Sequence, residues 1–285
     1  MKTILVPTDF SEAAINASEY AAELAKEMKE YEVLLYHAYN IPIIVSAEMS
    51  GTMMVNIGEL EESINLQLAE AADNLIKKTG VSVRYKTTAG PVVEGITDIE
   101  GKIHPCIIVM GLSTSGAVIE FVFGSTATDV LRKINAPLII VPEKAKFKKI
   151  EKMIFTNDYK LEEKIVMDKP IQRIIKQFSP QVSVLNVYNK VTDLNIDNKH
   201  VENLIDNYFN EIPHHFVRIE HEDVIEGIND FIKEKQIDLV TMIPHKHNMF
   251  EKLFNEGFTK KLAFHTEIPL LSIPAHSETK YLDQC

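Results

Sequence analysis

Cysteine is nearly missing from this 285-residue chain, which holds only Cys106 and Cys285, far apart in sequence. That excludes the disulfide framework that staples small secreted domains. Cys106 lies in the apolar run CIIVM and reads as a small core residue with a free thiol, which fits a reducing cytoplasm. Long apolar runs are missing too: none approaches the roughly 18 to 20 residues of a membrane-spanning helix. The opening MKTILVPTDF has one lysine, and Asp9 arrives too early for the apolar core of a signal peptide. A cytoplasmic protein with no membrane partner is the expectation. A positive charge excess is lacking as well. Thirty Lys and Arg face 41 Asp and Glu, a formal net charge of −11, which argues against a nucleic-acid partner. What remains is ordinary for a globular chain, 45% hydrophobic and 25% charged, and long enough for two domains.

The first half alternates strands and helices. TILVP (3–7) is a short apolar run of buried-strand type. The following SEAAINASEYAAELAKEM sets Ala14, Ala17, Ala21, Leu24 and Ala25 at helical spacing, with Ser11 as N-cap. YEVLLYHAY is a second strand, 59–78 an amphipathic helix ended by Gly80, VSVRYKTT a third strand and PVVEGITDIEGK a short helix. PCIIVM, a helix over Ser125–Ile134 and PLIIVP complete the series. Strands alternating with helices imply a parallel sheet covered on both faces. The apolar, Met-rich insertion 40–59 reads as a lid or an interface.

The second half repeats this order. KMIFTND echoes TILVPTD, QVSVLNVYN echoes YEVLLYHAYN, DVIEGINDFIKEKQIDLVTMI echoes PVVEGITDIEGKIHPCIIVM, and EIPLLSIP echoes NAPLIIVP. Two copies of one α/β domain are expected, over 1–143 and 150–276. The basic run EKAKFKKIEK between them reads as a solvated connector.

Ligands of open parallel sheets bind beyond the carboxyl ends of strands. Two first-half segments emerge there. In PTDFS, Asp9 is either a helix cap or a carboxylate that accepts from a base amine or ribose hydroxyl. In the other segment, Gly124-Ser125-Thr126 opens a helix whose bare first-turn amides suit phosphate oxygens, unless it is only an N-capped helix start. His245 and His247 lack neighbours at metal-ligand spacing and read as surface residues, so no metal site is expected. Lys260-Lys261 reads as an exposed helix face.

ILVPTDFSEAA, the Met-Gly after the fourth strand, and Gly-Ser-Thr leading to APLIIVP together resemble the universal stress protein family. The likeness spans the first half in order and the second more faintly. It implies a tandem member with two Rossmann-like, five-stranded parallel-sheet domains, and ATP or AMP, with or without Mg2+, as ligand. The family loop G-x2-G-x9-G-[ST] maps onto Gly111 at its first glycine and onto Gly124 and Ser125 at its end. Thr114 stands where the second glycine belongs, and Gly116 follows two places later. The resemblance further implies Pro7, Thr8 and Asp9 near the adenosine, Ala38 on the base, Met110 and Ser113 lining the cleft, and Thr126 at the phosphates. In the second half Asp158 matches the loop aspartate, but Ile243 replaces Gly111 and Glu256 replaces Gly124. A carboxylate at that place repels phosphate, so the second domain is expected not to bind ATP the same way. Family members commonly pair through their last strands, so PLIIVP and PLLSIP are expected to pair within the chain as an internal pseudo-dimer. The insertion is a candidate surface for a homodimer.

Three functions remain open. One is a stress-response protein whose first domain senses an adenine nucleotide while the second is structural or recruits partners. Another is a nucleotide-free interaction scaffold. The third is a slow ATP hydrolase, although no nucleophile and base, carboxylate pair or metal set specifies a fast reaction.

Overall fold

The computed structural model describes residues 1–41, 57–113, 129–131, 133–157, 169–189, 199–243 and 268–274. The first domain runs β1 (Lys2–Pro7), α1 (Glu12–Met28), β2 (Tyr31–Tyr39), α2 (Ile57–Thr79), β3 (Val83–Ala89), α3 (Val92–Ile103), β4 (Ile107–Leu112) and β5 (Leu138–Pro142). The second runs β6 (Lys152–Thr156), α4 (Lys169–Phe178), β7 (Gln181–Tyr188), α5 (Lys199–Tyr208), β8 (His214–Glu220), α6 (Val224–Lys235), β9 (Leu239–Met242) and β10 (Leu270–Ser272). Of the helix expected before β5, residues 129–131 and 133 are helical, and Ile134 N–H donates to the Val130 carbonyl at 3.0 Å. The insertion falls at 42–56 outside the described residues, and α2 begins directly after it. No described helix is long and apolar enough to cross a membrane.

The ten strands form one sheet, ordered β3-β2-β1-β4-β5-β10-β9-β6-β7-β8. Within each domain neighbouring strands are parallel; the two domains meet where β5 and β10 pair antiparallel, Leu270 opposite Ile140 and Ser272 opposite Leu138. The two PL-containing runs thus do pair within the chain. Their apolar residues explain it: β5 is buried along its whole length and would otherwise be a bare edge.

Strand alternation divides the core. Ile4, Val6, Val33, Leu35, Ile107 and Val109 face one side with α1 and α2, and Leu5, Leu34, Tyr36, Ile108 and Met110 face the other with α3. The first of these cores crosses the β5–β10 seam to include Met153, Phe155, Leu239 and Leu271, whereas the opposite face holds two separate clusters. One face therefore binds the domains into a single body. At about 25 cal/mol per Å² of apolar surface, a shared core of this kind resists separation.

The repeated VxEGI sequence has a packing cause. A Cβ on Gly95 would lie 1.7 Å from Tyr36 Oη, and one on Gly227 would lie 2.7 Å from Val187 Cγ1. Both glycines let the helix settle onto the second strand of its domain. Cys106 is buried as expected, yet it is disulfide-bonded and not a free thiol; Cys285 lies outside the described residues. Separation along the chain, on which the expectation leaned, does not limit proximity in space.

Candidate functional site

β1 and β4 are neighbours, with Ile4 opposite Ile107 and Leu5 opposite Ile108. From β1 the chain crosses by α1 to β2 on one flank, and β4 lies on the other flank. The strand order reverses here, and the carboxyl ends of the two strands lie at this switch point, where open parallel sheets bind their ligands.

The turn after β1 is tightly fixed. Thr8 N–H donates to the Tyr36 carbonyl at 2.8 Å, extending the ladder to β2. Phe10 N–H then donates to Thr8 Oγ1 at 3.1 Å, and Ser11 N–H to Asp9 Oδ1 at 3.0 Å. Phe10 takes φ +64°, a left-handed conformation uncommon for an aromatic residue. Its ring centroid stands 4.9 Å from that of His37. His37 Nδ1 is 2.7 Å from the Thr8 carbonyl, and a carbonyl only accepts, so Nδ1 carries the hydrogen. Ser11 caps α1 by accepting from Ala14 N–H at 3.3 Å. Asp9 is thus not the cap. It is exposed, one oxygen shapes the turn, and the other makes no hydrogen bond to the described residues.

The candidate residues divide between the two faces. Ala38 and Met110 pack on the α3 side, and alternation from Leu5 puts Pro7 on that side with them. Gly111 turns to the α1 side. A Cβ there would lie 2.3 Å from the Ala13 carbonyl oxygen and 2.9 Å from Ala14 N, both main-chain atoms that cannot swing away. The first turn of α1 rests directly on the end of β4, so Gly111 has a reason to be glycine within the protein itself. Ser113 is exposed, and its Oγ donates to Glu143 Oε2 at 3.3 Å. Thr114, Gly116, Gly124, Ser125 and Thr126 lie outside the described residues. So does the phosphate end of the expected site.

The second domain copies the turn but not the strand end. Asn157 N–H donates to the Leu185 carbonyl at 2.9 Å, and Asn186 Nδ2 donates to the Asn157 carbonyl at 2.8 Å, the parts played by Thr8 and His37. β6 and β9 pair with Ile154 opposite Val240, the register of Leu5 opposite Ile108. Three residues beyond Val240 stands Ile243, where β4 has Gly111, and it is buried. Asp158, His245, His247, Glu256, Lys260 and Lys261 lie outside the described residues. Among the described residues no three His, Cys, Asp or Glu side chains converge on a metal-sized site.

Phe10 and His37 escaped the sequence reading. Their signal was slight: an aromatic straight after Asp9, and a polar residue interrupting an apolar strand end. Only the fold reveals that the two rings meet.

The model of the universal stress protein family matches residues 1–142. A universal stress protein of Methanocaldococcus jannaschii is 30% identical over 156 residues, which is 50% of this chain and 96% of that protein. Among solved structures, a universal stress protein from Archaeoglobus fulgidus matches with a TM-score of 0.72 at 16% identity, over 96% of this chain and 98% of its own. A functionally unknown protein from Pseudomonas aeruginosa matches with a TM-score of 0.53 at 9% identity, over 96% and 92%. Both structural likenesses run through the two domains, so the fold extends beyond the half that the sequence matches cover.

Proposed function

As this chain belongs to the universal stress protein family, we propose that its first domain binds an adenine nucleotide, ATP or AMP, in the crevice at the ends of β1 and β4. The observation that carries this reading is the free carboxylate oxygen of Asp9 at the switch point, beside a face formed by Pro7, Ala38 and Met110. That carboxylate accepts from a ribose hydroxyl or the base amine, and the small Ala38 side chain leaves room for a flat base. These residues fit the adenosine end of the ligand. The amides at Gly124-Ser125-Thr126 hold the phosphates, with Thr114, Gly116 and Ser113 as further contacts, and the ligand binds with or without Mg2+. The second domain, with Ile243 at the matching strand end, is structural or recruits partners. The whole serves as a cytoplasmic stress-response protein, its activity on ATP at most a slow hydrolysis.

One observation favours a second reading. Gly111 is accounted for by the close approach of α1 without any ligand, as a nucleotide-free interaction scaffold would require.

Titration of the purified full chain with ATP, ADP and AMP separates the two. Nucleotide present at a hundredfold above its dissociation constant stabilises the domain that binds it by about 2.7 kcal/mol. A rise in melting temperature together with nucleotide recovered from the purified protein supports the sensor. Absence of both leaves the scaffold.

A further inference from the structure

We propose that a second, separate cleft, between the interdomain linker and α6, binds a multiply charged oligophosphate. It stands on residues that the nucleotide reading does not use and holds whether or not that reading does.

The cleft encloses about 780 Å³ where the carboxyl end of β5 gives way to the linker and the amino ends of β6 and β9 begin. Its wall gathers Lys144, Lys146 and Lys148 from the linker with Lys152 and Lys233 from the second domain. The connector is not simply solvated. Ala145 is buried and Phe147 packs edge-on against Tyr20 at 5.2 Å, so alternate residues anchor the segment while the lysines between them stay exposed. Asn16 fixes its start, donating from Nδ2 to the carbonyls of Pro142 (3.1 Å) and Ala145 (2.8 Å).

Among the described residues these ammonium groups form no ion pair. Elsewhere Lys26, Lys78, Lys102, Lys133, Lys176 and Lys235 each stand against a carboxylate. Among the described residues none of the five cleft lysines does. Lys146 donates to the neutral Asn16 Oδ1 and Lys152 to the Lys235 carbonyl. Two carboxylates share the wall, Glu151 and Asp238; Asp238 Oδ2 accepts from the main-chain N–H groups of Glu151 (3.0 Å) and Lys152 (2.9 Å), and neither stands within ion-pair distance of a cleft lysine among the described residues. With five ammonium groups against two carboxylates, the concavity carries an excess of positive charge in a chain whose net charge is −11.

The shape and donors select the ligand class. Lysine binds phosphate as a point charge, and ammonium groups spread over several positions suit a run of phosphates better than one. The volume falls within the roughly 300 to 1,000 Å³ of small-molecule sites. A ligand there touches the linker and α6 together and ties the linker to the second domain.

Sodium tripolyphosphate titrated calorimetrically into the full chain at low ionic strength tests this. Three variants are compared: a linker triple Lys144→Gln, Lys146→Gln, Lys148→Gln; the same three positions changed to Arg; and Gly124→Glu, which closes the nucleotide loop. The expected result is binding that weakens at least tenfold in the Gln triple, is kept in the Arg triple and in Gly124→Glu, and falls steeply with salt. ATP titrated into Gly124→Glu identifies the source: binding equal to tripolyphosphate assigns the cleft to any phosphate chain, and no ATP binding assigns it to free oligophosphates. Failure of the wild-type chain to bind tripolyphosphate overturns the proposal. Unchanged affinity in the Gln triple, or loss only in Gly124→Glu, overturns it equally, and the last outcome leaves the nucleotide reading intact.

Discussion

At the end of β4 stands Gly111, and at the matching end of β9 stands Ile243. Around that one difference the two domains are close copies. They share strand order, the turn held by a side chain of the second strand, and the glycine of VxEGI that seats a helix on the sheet. The shared glycines, Gly95 and Gly227, belong to the fold itself, since each half needs them. Gly111 belongs to one half alone. It lets α1 close upon β4 and keeps the strand end free of side-chain bulk. In the second domain a buried aliphatic residue takes that space. The same architecture thus ends its fourth strand once under the main chain of a helix and once under an aliphatic side chain.

Installing the second domain's residue in the first breaks the comparison most directly. Gly111→Ile drives a side chain into the main chain of Ala13, and we expect a loss of about 3 kcal/mol, the upper range for overpacking. Urea unfolding should show the loss, and nucleotide binding should vanish with it. The loop before the last strand gives a second contrast. In the first domain the buried Glu100 carboxylate accepts from the N–H groups of Asn135 (2.8 Å) and Ala136 (2.7 Å). The corresponding residue of α6 is Ile232, buried in an apolar cluster that Ile268 joins. Glu100→Ala strands two amides and should cost about 2 kcal/mol in the same assay. A cost no larger than that of an exposed substitution would deny the carboxylate its tying role.

The nucleotide side of the comparison is sharpened by Asp9→Ala. Its turn bond is local and exposed, so stability should hardly change, while affinity for ATP should fall about tenfold, or about 1.4 kcal/mol, by calorimetry. Unaltered affinity would take Asp9 out of the site. The smallest effect at neutral pH is expected from Tyr31→Phe. Burial pushes the Tyr31 hydroxyl up from 10.0 to about 12. A raised folded-state value means that the neutral form is favoured by folding, so this contribution is whole below pH 10 and is lost as pH rises through about 12. The variant should match the parent at pH 7 and lose less stability between pH 10 and 12 in parallel thermal melts.

Much of this architecture was legible in the chain. Apolar runs such as TILVP and PLIIVP were strands because a buried parallel strand needs no alternation. The VxEGI and PLxxxP pairs disclosed the duplication. β8, HHFVRIE, was not read because it is an edge strand, half exposed and without an apolar run. α4 and α5 carry no alanine stripe like that of α1, so their sequences stood out less. At the site, Asp9 and Gly111 were visible as types at strand ends. Their contacts were not, because the Ala13 carbonyl that presses on Gly111 and the His37 ring that meets Phe10 come from distant chain positions. The linker was read in part: its lysines are exposed as composition suggested, while the alternation that buries Ala145 and gathers them along a cleft needed the packed structure.

The asymmetry between the domains is tested most directly by a crystal structure of the full chain soaked with ATP. An adenine nucleotide is expected beyond the ends of β1 and β4, within reach of Asp9, and none beyond the ends of β6 and β9. A nucleotide seated beside Ile243, or a crevice at Asp9 left empty at saturating ATP, would contradict it.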